Sequence, residues 1–135
     1  MQLPLRSLPT RLAAGAYILH SGLEKWRAPA ERAAALHGAA SGAYPFLRPI
    51  PAALFVKLLS AGEIGLGATL LTPVIRDRVA GAALSVFSGS LLTMYLRTPA
   101  MHRPGSVWPT AAGTAVSKDV WMLGIGLGLI AGDLA

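Results

Sequence analysis

The chain has 135 residues, enough for one domain, with 53% hydrophobic and only 13% charged residues and a mean hydropathy of +0.53, a balance that describes a membrane protein and not a soluble one. It has no cysteine, which excludes disulfides, thiolate metal sites and cysteine redox chemistry by its own side chains. The basic residues behind its net charge of +6 flank apolar runs without clustering, so they fit membrane-flanking charge and not a nucleic-acid surface.

Residues 10–26 make the first helical segment. Arg11, Gly15, Ile18, Gly22 and Lys25 recur at 4-3-4-3 spacing, which draws one stripe along a helix at about 100° per residue. Gly15 and Gly22 would admit another helix closely, and Arg11 and Lys25 close the stripe at its ends. His20 and Glu24 fall on the other side. A cleavable leader fits poorly, because Glu24, Lys25 and Arg27 stand between the apolar run and the A-x-A-like Ala28-Pro29-Ala30. The following connection contains APAERAAALHGAASGA, whose alanine-rich spacing with Glu31 and Arg32 predicts a short helix on the membrane surface, favoured as a spacer over a lid.

The second segment covers residues 50–72, with Pro49 and Pro51 at its start and Pro73 at its end. Glu63 falls roughly 18–20 Å into it, near the midplane of a bilayer, where a charge costs at least about 2.5–3.5 kcal/mol. It must face the bundle interior. Lys57 lies about 10 Å in and can snorkel towards water. It is also about 120° around the helix from Glu63, a poor direct partner. Tyr17 and Ser88, at similar depth on other segments, are the expected partners, and His20 lies near the depth of Lys57.

A very short connection makes the third segment, residues 79–97, an antiparallel neighbour of the second. Its stripe is Gly81, Ser85, Ser88, Leu92 and Tyr95, and Pro99 closes it. The fourth segment, residues 110–133, carries Gly124, Gly128 and Gly132, a small-residue face expected to pack tightly. Lys118 and Asp119 open that segment on the membrane face where Lys25 ends the first. Lys25, Lys57 and Lys118 are matched in number by Glu24, Glu63 and Asp119, which suggests a paired polar network in one half of the bundle. Such pairs can merely fix helix register, and Glu63, the deepest, is the residue most suited to a head group or a proton. The three histidines have no metal spacing, and His37 and His102 are expected in solvated loops.

The expected fold is therefore all-α: an integral membrane four-helix transmembrane bundle over residues 1–135, with a short interfacial helix between the first two spans. Four spans put both termini on one side. The basic residues of the two sides do not decide the orientation.

The chain resembles the DoxX-like family of small four-helix membrane proteins. The resemblance rests on Arg11, Gly15 and the His20-Ser21-Gly22-Leu23-Glu24-Lys25 run. It extends to Glu63 in GEIGLG, the basic turn Arg76-Asp77-Arg78 and the closing SKDVWMLGIGLGLI. It implies quinone-linked or thiol-linked membrane redox chemistry, accessory roles in redox complexes, a bacterium-like plasma membrane and cytoplasmic termini. The absent cysteines argue against direct thiol exchange.

The leading functional expectation is a redox-linked membrane subunit that binds a quinone-like or lipid head group near Glu63. The polar pocket would draw on Lys57, His20, Tyr17, Ser88, Lys25, Lys118 and Asp119. A quinone is the candidate non-covalent cofactor. No haem ligand pair at suitable depth and no flavin motif is present, so electrons would pass to a partner. The alternatives are a non-catalytic accessory or scaffold subunit docking through its glycine faces, and a proton-coupled small-solute carrier, which would need an oligomer. Expected partners are membrane lipid and other membrane subunits or a second copy, with no nucleic acid.

Overall fold

The structure, a computed structural model, describes residues 5–135. It is all-helical apart from turns and an isolated bridge between His102 and Pro109. The helices are α1 (Leu8–Trp26), α2 (Ala30–Ala43), α3 (Ala52–Leu71), α4 (Asp77–Arg97), α5 (Thr114–Ser117) and α6 (Asp119–Leu134). Among the described residues, three helices are long and apolar enough to cross a membrane: Ala52–Leu71, Asp77–Arg97 and the α5–α6 run Thr114–Leu134. α1 is of similar length but carries Arg11, His20, Glu24 and Lys25, so it does not join them on hydropathy.

Element ends follow local chemistry. Pro9 in the first turn of α1 lacks the N–H that would be orphaned there, so the helix starts at Leu8, two residues earlier than expected. Pro51 caps α3. Asp77 sits in the first turn of α4, where a carboxylate complements the positive helix end. The fourth expected segment starts later, at Thr114, and is broken at Lys118 into α5 and α6.

Two antiparallel pairs organise the molecule. α1 lies along α3, and α4 lies along α6, while the pairs touch one another sparingly. Thus α3 and α4 are sequence neighbours, but each packs chiefly on another helix. Glycines set both seams. A Cβ on Gly15 would lie 2.9 Å from Leu70 Cβ, and one on Gly67 would strike the backbone and Cβ of Leu19. In the other pair, a Cβ on Gly81 would meet Gly126 O and Leu129. The main core lies where the pairs do meet, around Ile18, Leu66, Leu70, Leu84 and Leu129. A second cluster, Ala40, Ala43 and Met94, seats α2 against the ends of α3 and α4. The predicted surface helix is therefore not a free spacer; it packs on the bundle. His37 belongs to it, with Nε2 2.9 Å from Leu47 O and its ring edge-on to Phe55, and is not in a solvated loop.

Candidate functional site

The stripe on α1 faces Ser60, Glu63, Gly67 and Leu70 of α3, and its charged ends, Arg11 and Lys25, meet partners. Lys25 Nζ donates to both carboxylate oxygens of Glu63, at 2.8 and 3.0 Å, and to Ser21 Oγ at 2.7 Å. An ammonium has three N–H donors, and all three are used. Glu63 is 4% exposed, so the pair is a buried one. Its reach follows from helix geometry. With Gly22 seated against Ile64, the Lys25 and Glu63 backbones are offset by about two residues, roughly 3 Å. Side chains lean towards the N-terminus of their own helix. In an antiparallel pair that lean carries Lys25 inwards and Glu63 towards it. Ser60 Oγ donates to Gly22 O at the same crossing.

The ion pair lines a cavity of about 340 Å³ between the two helix pairs. Its polar wall is Ser21, Lys25, Glu63 and Asp119, its apolar wall includes Phe55, Phe87 and Met122, and α2 closes it with Leu36, Ala39 and Ala40. The Asp119 carboxylate makes no hydrogen bond among the described residues, although Glu63 and Lys25 both act on it electrostatically. Tyr17, Ala115, Asp119 and Met122 also line a cleft of about 510 Å³ between α1 and α6, bounded by Ala13, Ala14 and Trp121. The cavity and the cleft thus adjoin, with Tyr17, Ala115, Asp119 and Met122 as their common wall.

Several expected site residues stand elsewhere. Lys57 is on the surface: its Nζ donates to Trp26 O at 2.6 Å and sits 4.0 Å over the Trp26 ring. It caps the C-terminal end of α1, a favourable place for a cation. His20 is exposed and faces Glu24 at 3.7 Å, and Glu24 also pairs with Arg32. Neither joins the cavity. Tyr17 is 68% exposed and lines both the cavity and the α1–α6 cleft, without bonding Glu63. Ser88 is fully buried but does not reach Glu63; its hydroxyl and that of Ser85 have no hydrogen-bond partner among the described residues. Lys118 is exposed on the rim of the α1–α6 cleft. The partner of Glu63 is therefore Lys25, and not Tyr17 or Ser88.

The glycine expectations divide as well. Gly15 and Gly22 sit in the α1–α3 seam. Gly124, Gly128 and Gly132 have open space where a Cβ would stand, and they border a groove of about 790 Å³ beside the start of α1. The close approach expected of them is made by Gly126, about 200° around the helix from Gly124.

Arg11 has a role that stripe spacing alone does not reveal. It is 1% exposed. Its five N–H donors go to Leu70 O, Thr69 O, Thr72 O, Ile75 O and Asp77 Oδ1, at 2.6 to 2.9 Å. The last turn of a helix leaves carbonyls without intrahelical partners. Here one guanidinium takes them up and ties α1 to the α3–α4 turn. The signal available in the sequence was an arginine on the glycine-bearing face of an apolar helix, opposite the Arg76-Asp77-Arg78 turn.

Among the described residues no group of three or more His, Asp or Glu is arranged to hold a metal ion. No protein-family model, curated protein or solved structure matches the chain.

Proposed function

We propose that the chain is a redox-linked membrane subunit that binds a quinone-like or lipid head group beside Glu63. The observation that carries this reading is the 340 Å³ cavity with a buried ion pair in its wall. A register-fixing pair would be served as well by a closed seam. This one borders a cavity that shares a wall with the cleft between α1 and α6, and that cleft is the route a membrane-soluble molecule would take. Glu63 lies about 16 Å into α3, near the middle of a bilayer of about 30 Å, which suits a head group drawn well below the surface.

In this reading α1 is the fourth span. Its charged residues are accommodated by burial of Arg11, pairing of Lys25 and surface placement of His20 and Glu24. Trp26, Phe46 and Trp108 are exposed at the end where α1 stops and would sit at the membrane interface. The resemblance to DoxX-like proteins, a plasma-membrane location and cytoplasmic termini belong to the same proposal.

The open glycine face favours a second reading, an accessory subunit docked through α6. Only 11% of the apolar window of that span is buried, the lowest share of the three. Extraction in mild detergent, followed by mass spectrometry of small molecules and intact complexes, separates the two. A stoichiometric quinone supports the first reading. A stoichiometric larger chain without a small ligand supports the second.

A further inference from the structure

The polar wall of the cavity is not balanced. It holds one ammonium, Lys25, and two carboxyl groups, Glu63 and Asp119. The three donors of Lys25 are committed to Glu63 and Ser21, which leaves none for an incoming acceptor. The carboxylate oxygens of Asp119 make no hydrogen bond among the described residues. The hydroxyls of Ser21 and Tyr17 can donate or accept, so they impose no sign. Lys118, the neighbouring cation, is exposed and lines the outer cleft but not the cavity. What the inner wall offers is therefore surplus acceptor capacity and surplus negative charge, in surroundings where both are costly if unmet.

We propose that the cavity selects a membrane-soluble amphiphile whose head group donates a hydrogen bond to Asp119. A hydroquinone-type hydroxyl or a protonated amine meets that requirement, and a head group with only acceptor oxygens, such as a quinone carbonyl, does not. The tail would lie in the α1–α6 cleft past Ala13, Ala14 and Trp121. The inference rests on the reading of the cavity as a ligand site and adds the hydrogen-bonding sense of its ligand.

The test uses the full chain in phosphatidylcholine nanodiscs, with decylubiquinol, decylubiquinone and dodecylamine as probes and occupancy read by native mass spectrometry. The ubiquinol or the amine should bind at least about tenfold more tightly than the ubiquinone, as expected for one hydrogen bond to a charged group. Which of the two binds identifies the source of the donor. In Asp119→Asn the preference should fall below about threefold, since an amide can both donate and accept; Asp119→Ser serves if that variant does not fold. Lys118→Gln should keep the preference. Ubiquinone binding as tightly as both donors, or a preference that survives loss of the Asp119 carboxylate, overturns the inference and leaves the site standing. Saturable binding of none of the three probes overturns the inference and the ligand site together.

Discussion

Replacing Lys25 by Met would leave the Glu63 carboxylate buried without its ammonium. Breaking a buried pair from one side costs about 3–5 kcal/mol, so Lys25→Met should unfold far more readily in a detergent titration. Adding Glu63→Gln should restore much of the loss, because the remaining amide is neutral; a double variant as weak as the single one would mean that Lys25 acts through other contacts. Arg11→Lys tests the second buried cation. Lysine offers three donors on one nitrogen in place of a five-donor fork; Thr69 O and Thr72 O keep backbone N–H partners, and each of Leu70 O, Ile75 O and Asp77 left unmet costs about 1–3 kcal/mol. An unfolding midpoint equal to that of the parent would show that water reaches those carbonyls. At this scale the sequence located both charges on one helical face but misassigned the partner of Glu63. Depth counted along each helix compares backbone positions, and Lys25 closes the gap with a long side chain and a favourable lean that such a count omits.

Between helices, glycine decides how closely backbones approach. Gly126→Leu places a branched side chain where a Cβ already lies 2.5 Å from Ser85 Oγ and 2.9 Å from Gly81 O; it should disrupt the α4–α6 pair and lower thermal stability sharply. Gly128→Leu faces open space and should leave the midpoint of the monomer unchanged. If Gly128→Leu also abolishes association with a second copy or another subunit, α6 is the docking surface. Equal damage from both variants would contradict the observed rotation of α6. That rotation was not legible beforehand. The sequence Gly124-Ile125-Gly126-Leu127-Gly128 places glycine on two opposite faces, and periodicity alone cannot say which one meets α4. The surface helix α2 was legible as a helix. Its place in the cavity wall depends on Leu36 and Ala39 meeting side chains distant in sequence.

For the molecule as a whole, the absence of cysteine makes topology directly measurable. Single cysteines introduced at Ser7, Arg48 and Arg103 should be labelled by a membrane-impermeant thiol reagent from opposite sides: Ser7 from one, Arg48 and Arg103 from the other. Labelling of Ser7 and Arg48 from the same side would mean that α1 lies on the membrane without crossing it. The four-helix expectation came from segment length, and the three clearly apolar spans are those in which charge is sparse; α1 differs because its buried charges, Arg11 and Lys25, are met by α3 and by the α3–α4 turn, partners that no hydropathy window contains. The central claim is that the space between the two helix pairs is occupied by a membrane-soluble ligand. Ala39→Phe tests it most directly, since it projects a ring into the cavity from α2 and leaves Lys25, Glu63 and Asp119 in place. Native mass spectrometry of the two proteins, extracted under identical mild conditions, should find a stoichiometric small ligand on the parent chain and none on the folded variant. A parent chain that carries no ligand, or a variant that retains it at equal occupancy, would contradict the account.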